Sequence, residues 1–101
     1  MKWKGQQKAR MVHGVAWYSP DQWERLLEIS DDRDVLEKTY AEWERFAMRA
    51  MKDLTRQGLS LKKVPVDLDL LLAWCQRQNV PIDGAARSLF VAAKMKEADK
   101  G

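Results

Sequence analysis

A mainly helical single domain of four helices, with one long central helix and one or two short extended segments, is what this sequence predicts. Three observations predict it. The phrase valine-proline-hydrophobic-aspartate occurs twice, at Val64-Pro65-Val66-Asp67 and at Val80-Pro81-Ile82-Asp83. Apolar residues recur at spacings of three and four in four separate stretches, the period of a helix with one buried face. A chain of 101 residues with 46% apolar composition has enough material for one modest core and not for two.

In chain order, residues 1–11 are polar and basic around a lone tryptophan, Trp3, and read as a mobile arm. Val12 to Tyr18 is β-prone and too short for a helix before the next break. Ser19-Pro20-Asp21-Gln22 then reads as a helix start, with serine at the cap, proline in the first turn and glutamine closing a capping box. Trp23, Leu26, Leu27 and Ser30 follow on one face of a short helix. Asp31, Asp32 and Asp34 supply caps for a second helix, expected from about Asp32 to Gln57, along which Leu36, Tyr40, Trp43, Ala47, Ala50, Met51 and Leu54 recur with helical spacing. At that length it would be the longest element, about 38 Å at about 1.5 Å per residue. Gly58 stands where a left-handed residue ends it.

Leu59 to Val66 suits a strand or extended connector that Pro65 confines to an edge or a strand end. Each copy of the repeated phrase then starts a helix. Proline drives the valine before it into extended backbone, and the aspartate two residues later accepts from free N–H groups of the first turn. Helix three follows Asp67 with Leu68, Leu71, Leu72 and Cys75 on one side, and Val66 placed to staple onto Leu71. Helix four follows Asp83 with Ala86, Leu89, Phe90 and Ala93 as its stripe, and the end from Lys96 should fray. The chain thus divides into the arm, residues 12–58, and a strand-helix-turn-helix unit in 59–101, all within one domain.

Net charge is +3, too small to identify a nucleic-acid binder, but its distribution is uneven. Residues 1–18 carry Lys2, Lys4, Lys8 and Arg10 and no acid, whereas residues 19–58 carry ten acids against seven bases. One cysteine, Cys75, excludes an intrachain disulfide and reads as a small buried hydrophobe in a reducing compartment. With no apolar leader and no stretch long enough to span a bilayer, the expectation is a cytoplasmic protein without membrane contact.

Catalytic and cofactor chemistry find little purchase. Nucleophilic and metal sites need clusters of histidine, cysteine and carboxylates, and the one histidine, His13, is far in sequence from Cys75. Asp31, Asp32 and Asp34 are explained by helix capping and lack the glycine turn and terminal glutamate of a calcium loop. Glu42 and Glu44 point to different sides of a helix, and Glu24 and Glu28 lie on an outer face. The glycines are isolated, so no phosphate-cradling loop is present. The expectation is a non-enzyme with no cofactor and no metal.

Two surfaces remain. Tyr40, Trp43, Phe46 and Met51, with Met48, concentrate aromatic and methionine side chains on the long helix, the composition of a protein interface, with a partner protein or a second copy of this chain as occupant. Alternatively, Lys62, Lys63 and Arg87, helped by Trp3 and Lys4 in the arm, would hold phosphates while the aromatic stacks on bases. Over residues 60–97 the basic segment Leu61-Lys62-Lys63-Val64, a capped helix, a turn and a helix containing Ala86-Arg87-Ser88 resemble the order of elements in ribbon-helix-helix DNA-binding proteins. That resemblance implies two strands from a dimer in the major groove, with Lys62 or Lys63 near bases. A shared exposed face of Lys62, Lys63 and Arg87 favours nucleic acid, and their dispersal favours a protein partner.

Overall fold

In the computed structural model residues 11–100 are described, with side chains through residue 98. Trp3 and Lys4 lie outside the described residues. Among the described residues, four helices and a two-stranded parallel sheet form one globule: β1 (Val12–Trp17), α1 (Trp23–Ile29), α2 (Tyr40–Arg56), β2 (Ser60–Pro65), α3 (Leu68–Gln78) and α4 (Gly84–Lys100). Single 3-10 turns at Pro20–Gln22 and Arg33–Val35 lead into and out of α1.

The sheet holds the two halves of the chain together. β1 comes from the first half and β2 from the second, paired from Val12 with Ser60 to Trp17 with Pro65. Parallel strands need a long crossover, here α1 and α2. The Val66 N–H donates to the Trp17 carbonyl at 3.1 Å, so pairing passes beyond Pro65, the strand end that proline tolerates.

Strand alternation assigns each face a helix. Gly14 lies against α4, where a β-carbon would overlap Met95 Sδ and come within 2.7 Å of Val91 Cγ1, so only glycine lets the helix approach this closely. Trp17, of opposite parity, meets Trp43 of α2 at 4.9 Å between ring centroids. Leu26, Leu71, Cys75 and Val91 are almost wholly enclosed in the core.

Both copies of the repeated phrase initiate helices. Asp67 accepts from the Leu70 N–H at 3.1 Å and Asp83 from the Ala86 N–H at 2.9 Å, while Val66, Leu71 and Ile82 are buried. At the first helix start, Gln22 Oε1 accepts from the Ser19 N–H at 2.9 Å as the capping box requires. Gly58 is left-handed at φ 97°, as is Asn79 at φ 58°, where the Val80 N–H reaches back to the Cys75 carbonyl and closes α3.

The long helix is shorter than its apolar period suggests. It begins at Tyr40, capped by Thr39, whose hydroxyl accepts from the Glu42 N–H at 3.2 Å while Glu42 receives the Thr39 N–H at 3.2 Å. Asp31 and Asp32 are engaged elsewhere. Asp31 clips onto Ile82 through two hydrogen bonds of 2.8 Å, and Asp32 binds Arg87, so the chain between them and Thr39 makes only a 3-10 turn before Leu36 becomes extended. At 17 residues α2 is matched in length by α4, which continues to Lys100 where the sequence suggested fraying from Lys96.

Candidate functional site

Trp43 was expected at a protein interface, and the structure buries it at 9% exposure. The reason is its set of neighbours: the rings of Trp17, Tyr18, Trp23 and Tyr40 lie within 4.9 to 5.4 Å of its own. Tyr40 is half-buried at the edge of this cluster, its hydroxyl donating to Glu44. Phe46 stays outside at 60% exposure, and Met51 is half-buried beside an exposed Met48.

Arg87 is likewise drawn inward. Its guanidinium donates to both carboxylate oxygens of Asp32, at 3.0 and 2.6 Å, and to Ser30 Oγ at 3.2 Å, and the residue is only 8% exposed. This fork draws the Asp32 carboxyl below its ordinary range. Arg87 thus joins α4 to the segment after α1 and faces inward, while Lys62 and Lys63 are exposed on β2. The three bases expected together are dispersed.

Tyr18 belongs to the same enclosed region. Its hydroxyl finds no hydrogen-bond partner among the described residues, and burial pushes the phenol up to about 12, partly offset by Arg87. A folded-state value above the unfolded one means that the stabilising contribution is complete below 10.0 and disappears as pH rises toward about 12. Tyr18→Phe should therefore leave stability within about 1 kcal/mol of wild type at neutral pH and reduce the alkaline loss. Denaturant unfolding at neutral and alkaline pH checks both.

A different set of cations converges on the outer face of α2. Met48, Arg49, Met51, Lys52, Thr55 and Arg56 line an open cavity of about 780 Å³ with Lys63 of β2. Its lining holds four bases and no acid. The helical spacing of Arg45, Arg49, Lys52 and Arg56, by four, three and four, continues the basic stripe one turn toward the N-terminus. Lys63 is held at the rim with its ammonium 4.2 Å from the centre of the Trp17 ring. Arg56 in the last turn suits the helix dipole and approaches Asp53 at 3.8 Å, yet neither relation accounts for Lys63 or the methionines.

Attention to apolar period alone passes over this stripe, although the spacing of its cations is written in the sequence. The part played by Lys63 depends on the pairing of β2 with β1, which local sequence does not encode. Among the described residues no group of three or more histidine, cysteine, aspartate or glutamate side chains is placed to hold a metal ion, and no helix is long and apolar enough to cross a membrane. Comparison with family models, with curated proteins and with solved structures finds no match to this chain.

Proposed function

We propose that this protein is a non-enzymatic, cytoplasmic interaction module that receives an acidic amphipathic segment of a partner protein in the groove between α2 and β2. The observation that carries this reading is the lining of the groove, where Met48 and Met51 lie among Arg49, Lys52, Arg56 and Lys63. Thioethers are flexible and polarisable, so they adapt to varied apolar side chains, while the cations attract carboxylates and set orientation. A partner helix with leucine-like residues on one face and glutamates beside them complements both features. The inward placement of Arg87 supports this over DNA binding, because it leaves Lys62 and Lys63 without the third base of the expected set.

The test is fluorescence anisotropy with a labelled amphipathic helical peptide of leucine and glutamate, a scrambled peptide of identical composition, and a short DNA duplex. The amphipathic peptide should bind about tenfold more tightly than the scramble, with affinity falling as salt rises. Met51→Glu together with Arg49→Glu should abolish that binding while leaving the fold intact. Equal binding of the two peptides, or stronger binding of the duplex with a steep salt dependence, would overturn the reading, the latter in favour of the nucleic-acid alternative.

A further inference from the structure

The two strands of the sheet differ in how their outer edges are protected. β2 carries Lys62, Lys63 and Pro65, the charges and proline with which edge strands discourage further pairing. β1 reads Val-His-Gly-Val-Ala-Trp, with no lysine, acid or proline. Because the Trp17 carbonyl accepts from β2, strand alternation turns the backbone groups of His13 and Val15 the same way and those of Val12, Gly14 and Ala16 outward. Among the described residues nothing hydrogen-bonds to these outward groups.

The space beside this edge is mostly apolar, with Lys96 in one lining and Glu37 and Arg87 in the other. Two adjoining cavities of about 660 and 480 Å³ run along β1, and neither has a β2 residue in its lining. Leu89 forms part of one wall, Val35 and Phe46 part of the other, and these three residues are 59%, 77% and 60% exposed, with Val12 49% exposed at the strand itself. An unguarded edge flanked by exposed apolar side chains is the configuration that takes up another strand.

We propose that the added strand is β1 of a second copy of this chain, antiparallel across a two-fold axis. Register about Gly14 pairs Gly14 with Gly14 and Val12 with Ala16, so all three outward-facing residues of each strand find partners of the same kind. The strand bears no lysine, arginine or acid, so two copies meet without opposed like charges. Closure about the axis consumes both open edges and places the two lysine- and proline-bearing β2 strands at the margins of a four-stranded sheet. A two-stranded sheet, marginal by itself, thereby becomes one of four strands. The groove between α2 and β2 lies away from this edge, so the dimer would present two of them, and either proposal can fail without the other.

The experiment uses the full chain, with light scattering over a range of concentrations and amide hydrogen exchange read at Gly14 and Ala16. Expected are twice the single-chain mass at high concentration and exchange at both amides slowed about tenfold or more relative to dilute protein. Val12→Lys combined with Leu89→Lys should give the single-chain mass with an unchanged circular dichroism spectrum. A single-chain mass at every concentration would overturn the proposal and leave the edge for a different protein. A dimer that persists in the double variant, with both amides exchanging freely, would overturn it in favour of another surface. Should the double variant unfold, the concentration dependence of exchange in the wild-type chain decides alone.

Discussion

Arg87→Met should lower the unfolding free energy by about 3 kcal/mol, the lower end of the range for removing one partner of a buried ion pair. The side chains of Arg87 and Asp32 are 10% and 21% exposed, so the carboxylate left behind keeps limited access to water and loses two charge-assisted hydrogen bonds. Ser30, wholly buried, loses its donor as well. Such a loss is a large part of the stability of a domain this size. Replacing both partners, Arg87→Met with Asp32→Leu, should recover most of it, because the cost lies in the stranded charge more than in the absent attraction. A single variant within about 1 kcal/mol of wild type in denaturant unfolding would show instead that water reaches the pair and screens it.

The same pair sets an acid limit. The Asp32 carboxyl is lowered from 3.8 by the guanidinium, so its contribution is fully present above 3.8 and is lost as pH falls through the folded-state value. Wild-type stability should decline on that account below about pH 4, where the doubly substituted protein should decline less. Parallel urea titrations at several acidic pH values measure the difference.

Arg87 also marks where sequence reading ends. Local chemistry identifies helix starts well: the Ser19, Asp67 and Asp83 starts all lie where their neighbours place them, because a cap acts within one turn. The start of α2 falls later than the aspartates suggest because the same residues that can cap a helix can also pair across the fold. Asp31 and Asp32 bind residues 51 and 55 positions away, and nothing in their own neighbourhood distinguishes the two fates. The signal that survives is Thr39 with Glu42, a capping box masked by the apolar period that continues upstream through Leu36. Parallel pairing of β1 with β2 was likewise illegible. Two short β-prone segments 48 positions apart contain no turn chemistry that names them as neighbours. The groove inherits that limit, since its α2 wall is written in one helix and its β2 wall is not.

Trp43→Ala should cost about 3 to 5 kcal/mol, the range for emptying a large aromatic site in a core. The side chain contacts four other aromatic rings, so the vacancy cannot be filled by a small adjustment of one neighbour. Phe46→Ala, three residues along the same helix and 60% exposed, should shift stability by no more than about 0.5 kcal/mol. This contrast separates the two roles that composition alone assigns equally to both residues. A consequence for binding follows from the order of contacts. Trp17 contacts both Trp43, at 4.9 Å, and the Lys63 ammonium, at 4.2 Å, so the ring cluster that packs α2 on the sheet is linked to one wall of the groove. Trp43→Phe keeps an aromatic ring at the centre of the cluster and should retain most of the stability and the peptide affinity. Trp43→Ala, measured in conditions where circular dichroism shows it folded, should bind the acidic amphipathic peptide less tightly although it removes no groove residue. Unchanged affinity in that folded variant would mean that Lys63 keeps its place without the aromatic cluster, and would separate the stability of the core from the shape of the docking surface.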